Sequence, residues 1–453
     1  MSNEIRLNAF AINSPGHLSA GLWRHPDDQS HRYTDLRYWT DLAVTLERGL
    51  FDGLFIADVL GVYDVYGHSA DAALRNAAQV PINDPLQLVS AMAAATRHLG
   101  FGVTASVSFE HPYPFARRLS TADHLSGGRI GWNIVTSYLE SGARNLGQAA
   151  QLTHDNRYEL ADEYLEVCYK LWEGSWEAGA VKRDAARGVY ADPRQVHEIG
   201  HRGTFFTVPG FHLSEPSPQR TPVLYQAGAS SRGRQFAARH GECIFVAAPT
   251  RGILRRQVDA LRAEAAKQGR RADDLLIFNQ ITIVVAPTDA AARAKFDDYR
   301  RYVSRDGSLA LMSGWTGIDF SRFDPDDTLE HADSNAIQSA VEAFTSADPE
   351  RKWTVGEIAD YCGIGGDGPV IVGSPVTVAD ALQAWIDETG VDGFNIGAVV
   401  NPGSFADIVE WLVPELQRRG VYKRAYRGGT LREKLFGHGA GLPPAHYGTR
   451  FRV

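Results

Sequence analysis

The stretch Gly228-Ala229-Ser230-Ser231-Arg232-Gly233 closes an apolar run and opens a helical one. Small residues let backbone N–H groups approach an anion, and a helix N-terminus favours negative charge. Ser230, Ser231 and Arg232 add side-chain donors of the kind that bind phosphate. The same residues also make an ordinary helix start, because Gly and Ser are frequent caps. A second group of polar residues lies at 130–158. The run Ile130 to Val135 is entered from Gly127-Gly128 and has the pattern of a buried strand. Asn133, Thr136 and Ser137 put polar groups at its C-terminal end, and a small, polar loop follows from Tyr138 to Thr153. Asp155 is placed to cap a helix with apolar positions at Tyr158, Ala161, Leu165, Cys168 and Leu171-Trp172. His154 and Tyr158 are about one helical turn apart and share a face.

Such groups need a frame that presents them together. Strand patterns occur at 5–12, 53–58, 100–107, 130–135, 222–227, 243–247, 276–285 and 392–396. Helical spacing lies between most of them, at 35–49, 86–98, 115–125, 253–268, 289–302, 375–389 and 405–419. Asp84 caps the second of these helices, with Pro85 at its first position. Pro112 and Pro114 lead into the third. Repeated strand-helix units imply parallel strands with right-handed crossovers. Eight of them fit a TIM (β/α)8 barrel, whose active face is the C-terminal end of the strands. A doubly wound sheet is the alternative, but no G-x-G-x-x-G follows the first strand. The whole chain, 1–453, is expected to be one barrel domain with insertions at about 176–217 and 304–370. The first insertion carries a strand at 205–208. The second is expected to be an irregular lid or binding loop, or partly disordered, and the basic tail 420–453 is expected to wrap a neighbour or stay mobile.

The net charge of −8 comes from interspersed residues of both signs, which argues against a nucleic-acid surface. Three dispersed cysteines form neither a metal pair nor a disulfide ladder and suit a reducing cytoplasm. No targeting signal or apolar run of membrane length is present. No H-E-x-x-H, P-loop or G-x-S-x-G occurs, and the pairs Asp273-Asp274 and Asp326-Asp327 suit solvated loops better than a metal site.

Gly128-Arg129-x-x-Trp132-Asn133-x-Val135-Thr136-Ser137, then Ala143-Arg144-Asn145-Leu146-Gly147, then His154-Asp155-x-Arg157-Tyr158, resembles the nitrilotriacetate monooxygenase component A group. That group also holds the dibenzothiophene-sulfone, EDTA and dimethyl sulfide monooxygenases and belongs to the bacterial-luciferase-like flavin enzymes. The resemblance runs along nearly the whole chain. It implies a two-component monooxygenase that takes FMNH2 from a separate NAD(P)H:flavin reductase and uses O2. A small N- or S-containing substrate is oxygenated, with C–N or C–S cleavage. It also implies a homodimer or homotetramer. An F420-dependent dehydrogenase and a non-catalytic flavin-binding barrel are the other readings.

By the same resemblance, Gly228, Ala229, Ser230 and Ser231 hold the FMN phosphate, helped by His154 and Tyr158. Asp58, Thr104, Asn133 and Ser137 line the flavin. His17, in the loop after the first strand, is the catalytic candidate for substrate-side proton transfer or stabilisation of the flavin–oxygen adduct. An unperturbed imidazole, with pKa about 6.5, serves as acid or base near neutral pH. His111 and Tyr113 are secondary candidates. The stretches 57–66 and 215–222 look most like the dimethyl sulfide branch. A tricarboxylate substrate would instead need several cations, for which Arg24, His25, Arg117 and Arg157 are available.

Overall fold

The structure is a computed structural model and describes residues 4–228, 230–328, 337 and 353–453. Eight strands, all parallel, close on themselves: β1 (Arg6–Ile12), β2 (Gly53–Ala57), β3 (Gly100–Ser106), β4 (Ile130–Val135), β5 (Val223–Ala227), β6 (Cys243–Val246), β7 (Leu276–Val285) and β8 (Gly393–Gly397). Their order around the barrel is the chain order, and β8 pairs with both β7 and β1 and so closes the ring. An extra strand, Val370–Gly373, pairs with the far half of β7. The expected barrel is therefore the fold.

Side chains alternate along each strand. Leu7, Ala9, Leu54, Ile56, Phe101, Val103, Ile130 and Trp132 face the helices. Phe10, Phe55, Tyr225, Phe245 and Phe278 face inward and fill the barrel with rings. Tyr225 and Phe245 stack with centroids 5.4 Å apart. Gly131 makes room for them, because a Cβ there would lie 2.3 Å from Tyr225 Cε2.

Two residues of the sequence signature serve this frame. Arg129 is buried and donates to the carbonyls of Ala93, Thr96, Leu99 and Ser126, so it ties the ends of two helices to β4. Trp132 donates its indole N–H to Ala105 O.

The helices Leu36–Arg48, Leu86–Ala95, Pro112–Ser126, His154–Gly174, Ser231–His240, Arg251–Lys267 and Pro375–Thr389 pack around the barrel. Pro112 and Pro114 lie inside the first turn of their helix, where no N–H is needed, so the helix starts earlier than expected. His111 precedes that turn and its ring accepts the N–H of Tyr113. Asp155 is not a cap. Its helix begins at His154, and Asp155 sits exposed in the first turn, where it bonds His154 Nδ1 at 2.9 Å. The loop 138–153 also contains a short helix, Glu140–Asn145.

Residues 176–217 hold two small hairpins, Val181–Asp184 with Val189–Ala191 and His201–Arg202 with Thr207–Val208. The expected strand at 205–208 is thus shorter, because Phe205 and Phe206 form the turn. Glu163 holds this turn to the barrel. Its carboxylate accepts the N–H groups of Thr204 (2.9 Å), Phe205 (3.0 Å) and Phe206 (2.7 Å). Burial raises the pKa of Glu163, but these N–H groups and His201 outweigh it and hold it below the ordinary range. Glu163→Gln is expected to lower stability by about 1–3 kcal/mol in urea unfolding at neutral pH. A depressed carboxylate stabilises above its unfolded pKa and loses that contribution as pH falls through the folded value. The difference between wild type and variant therefore shrinks below about pH 4.

The segment 304–370 is less irregular than expected over its described residues. It contains the helices Arg305–Thr316 and Val355–Cys362. Within that segment, residues 329–336 and 338–352 fall outside the described residues. The tail is corrected as well: it folds onto the chain's own barrel. Tyr422 Oη donates to Leu50 O at 2.7 Å. The helix Leu431–Phe436 sends Leu431 and Leu435 into the N-terminal mouth of the barrel, beneath the rings.

Candidate active site

At the C-terminal ends of the strands lies a cavity of about 320 Å³. His17, Asp58, Thr104, Asn133, Ser137, His154, Tyr158, Gly228 and Ser230 all line it. Ser231 does not: it is the exposed first residue of its helix. Ala229 lies outside the described residues. His111 and Tyr113 are also absent from the lining, His111 being used as a helix cap and Tyr113 donating to Phe211 O at 3.4 Å.

One side of the cavity is polar. Asn133 donates to Thr104 Oγ1 at 2.9 Å, which fixes its amide across β3 and β4. Its Oδ1 is buried without a hydrogen-bond partner among the described residues, as is Oε1 of Gln226. Buried acceptors of this kind are costly unless a ligand donor satisfies them. Ser137 follows with a left-handed φ of 59°, and its Oγ lies 2.7 Å from Ser106 Oγ.

Next along the rim is the start of the helix Ser231–His240. Ser230 caps it, with Oγ accepting the N–H of Gly233 at 3.1 Å. His154 Nε2 stands 3.4 Å from the same oxygen. Gly228 is required by close approach, since a Cβ would lie 2.6 Å from Gln226 Nε2 and 3.2 Å from Tyr158 Oη. A helix N-terminus with a serine, a histidine, a tyrosine and a bare glycine fits a phosphate. Arg232 is a correction. It turns away from the rim and pairs with Asp162 at 2.5 Å. Arg157 is the arginine in the lining.

The opposite side is more apolar: Phe10, Leu18, Val59 and Trp315. His17 packs edge-on against Phe10, with centroids 4.4 Å apart. Burial pushes its pKa down to about 3, partly offset by a hydrogen bond to the Phe10 backbone. His17 is therefore a neutral imidazole at neutral pH, which corrects its expected titration there. Burial moves Asp58 the other way, to about 6, with help from the nearby charge of Asp84. Asp367 is likewise raised to about 6 by burial.

The sequence reading missed Gln79, Tyr138, Trp315 and Asp367, all in the lining. Tyr138 adjoins Ser137 and was within reach of the signature. Trp315 and Asp367 come from the segment read as irregular.

Comparison with known proteins decides the family. The luciferase-like monooxygenase family profile matches residues 18–393. The chain belongs to that family. It is 51% identical over 453 residues to dimethyl-sulfide monooxygenase of Hyphomicrobium sulfonivorans, covering 100% of this chain and 94% of that protein. The crystal structure of that enzyme superposes with a TM-score of 0.93 over 99% of this chain and 96% of its own. A long-chain alkane monooxygenase of Geobacillus thermodenitrificans is 50% identical, over 100% of this chain and 99% of its own. A riboflavin lyase structure with modified FMN and riboflavin is 38% identical, with a TM-score of 0.93 over 99% of this chain and 100% of that one. As a luciferase-like monooxygenase, the chain is an oxidoreductase of a flavin-dependent family. Among the described residues, no helix is long and apolar enough to cross a membrane.

Proposed function

We propose that this luciferase-like monooxygenase uses reduced FMN from a separate reductase and oxygenates an uncharged, apolar sulfide or hydrocarbon. The observation that carries this reading is the two-sided cavity. Its polar rim fits a flavin and phosphate, while its other wall fits a substrate without charge. Reduced FMN, when bound, supplies the electrons that activate O2. The chain's own part is to bind, orient and exclude water. Asn133, Thr104 and Ser137 are proposed to hold the ring system. Ser230, His154, Tyr158 and Gly228 are proposed to hold the phosphate. Phe10, Leu18, Val59 and Trp315 keep the substrate side dry, which protects a reactive intermediate from side reactions.

A polycarboxylate substrate has little support. Arg24 is turned to Gly21 O, and His25 pairs with Asp298. Arg117 is exposed, so Arg157 is the one of the four expected cations in the lining. Asp58 and Asp367 are there too and would repel carboxylates. The names of the relatives, a dimethyl-sulfide and an alkane monooxygenase, support an uncharged substrate. A cytoplasmic homodimer or homotetramer completes the proposal. Three buried free cysteines support the compartment, and the exposed Phe205, Phe211 and Leu213 support self-association.

In competition assays, nitrilotriacetate is expected not to inhibit, and alkyl sulfides are expected to compete with one another. Inhibition by nitrilotriacetate at concentrations as low as the sulfides would overturn the substrate class. His17→Ala is expected to keep FMN affinity within about twofold and to lower kcat about 100-fold, the lower end of what a positioned proton-transfer group contributes. Because His17 stays neutral, kcat/KM has no break from it between pH 5 and 8. A break near pH 6 belongs to Asp58 or Asp367 and disappears in the matching Asn variant.

A further inference from the structure

Two buried phenols meet at the apolar end of the cavity. Tyr63 Oη and Tyr138 Oη are 2.6 Å apart. Tyr63 is fully enclosed, whereas Tyr138 lines the cavity. Burial pushes both phenols up, Tyr63 to about 12 and Tyr138 well above its ordinary value, so each keeps its proton at neutral pH.

The neighbours of this pair fix the direction of every hydrogen bond. Gln79 Nε2 donates to His17 O at 3.3 Å, which turns its Oε1 toward Tyr63. That oxygen is only an acceptor, and Tyr63 Oη lies 2.8 Å from it. Tyr63 therefore commits its single proton to Gln79. The Trp315 indole can only donate, and it points at Tyr63 Oη from 3.2 Å. The bond between the two phenols must then use the proton of Tyr138. What Tyr138 has left for the cavity is lone pairs.

We propose that Tyr138 is a specificity-determining residue, held as a hydrogen-bond acceptor at the substrate end of the cavity and so selecting against ligands that present oxygen acceptors. A sulfide has no strong acceptor and is tolerated there. A sulfoxide or sulfone oxygen meets the phenol lone pairs and finds no donor. The inference rests on the proposal that this cavity binds substrate above the flavin, and it adds the group that reads the substrate's polarity.

The test is calorimetric titration of the FMN-loaded protein with dimethyl sulfoxide and dimethyl sulfide. Tyr63→Phe removes the acceptor of the Tyr138 proton, which then turns into the cavity. Dimethyl sulfoxide is expected to bind about fivefold more tightly, the worth of one neutral hydrogen bond. Dimethyl sulfide affinity is expected to stay within about twofold, because the sulfide offers only a weak acceptor. Gln79→Met reaches the same end by another route. Tyr63 then gives its proton to Tyr138, and Tyr138 turns its own outward. The gain is expected to vanish when Tyr138→Phe is added to either variant.

Folded, FMN-binding Tyr63→Phe and Gln79→Met proteins with unchanged or weaker sulfoxide affinity would overturn the inference. So would a gain that survives Tyr138→Phe. Failure of the wild-type protein to bind FMN would instead overturn the proposed function, and with it the setting of this inference.

Discussion

Ser230→Asp is expected to lower the affinity for FMN by at least about 100-fold, with little change in stability. Ser230 Oγ caps the helix Ser231–His240 through the N–H of Gly233 and stands 3.4 Å from His154 Nε2. Asp is as good an N-cap as Ser, so the helix keeps its start. What changes is the charge at the proposed phosphate site. The hydroxyl offers a proton, and a hydrogen bond to a charged group contributes about 1.5–3 kcal/mol. A carboxylate offers none and adds repulsion, about 4 kcal/mol for like charges 4 Å apart near a protein surface. Each 1.4 kcal/mol is about tenfold in affinity, so the sum exceeds a hundredfold. Flavin fluorescence titration measures it. An affinity within about threefold of wild type would remove the phosphate from this helix end.

Arg432→Met is expected to destabilise the chain by about 3–5 kcal/mol, the cost of leaving a buried charge without its partner. The Arg432 side chain is fully buried and that of Glu242 is 1% exposed. Arg432 grips the carboxylate with Nε at 2.7 Å and Nη2 at 2.9 Å. The same Nη2 reaches Thr221 O and Pro222 O, so the tail is tied to the start of β5. Burial raises the pKa of Glu242, but Arg432 outweighs it and holds Glu242 below the ordinary range. The stabilisation is complete above the unfolded pKa of Glu and is lost as pH falls through the lower folded value. Replacing both residues by Met is expected to restore most of the loss, since apolar pairs often substitute for buried ion pairs. Denaturant unfolding of the two single variants and the double variant checks this. A single-variant loss below about 1 kcal/mol would mean that the tail is not fastened here.

The barrel was legible because its strands are buried on both faces and leave continuous apolar runs such as Leu276–Val285, every residue of which is buried. The rim was legible where chemistry sits at strand ends, as with Asn133 and Ser230. The signature itself mixes two kinds of residue. Asn133, Ser137, His154 and Tyr158 reach the cavity, while Arg129 and Trp132 fasten helices and strands. Sequence spacing does not separate them.

The helix Arg305–Thr316 was missed for a different reason. From Gly307 to Thr316 every residue is buried, so no polar face marks its period. With it went Trp315. The helix Leu431–Phe436 carried a readable start, a capping box from Thr430 to Glu433, inside a Gly-rich basic stretch that reads as tail. The neutral state of His17 depends on tertiary burial and has no trace in local sequence.

The most direct test of the central claim is turnover with FMN, NADH, an unrelated flavin reductase and labelled O2, using dimethyl sulfide and short alkanes as substrates. The expected product forms only with all components present, carries one oxygen atom from O2, and rises in proportion to O2 consumed. Oxygen consumption that yields only hydrogen peroxide with every uncharged sulfide and alkane, or a chain that binds no FMN, would contradict it.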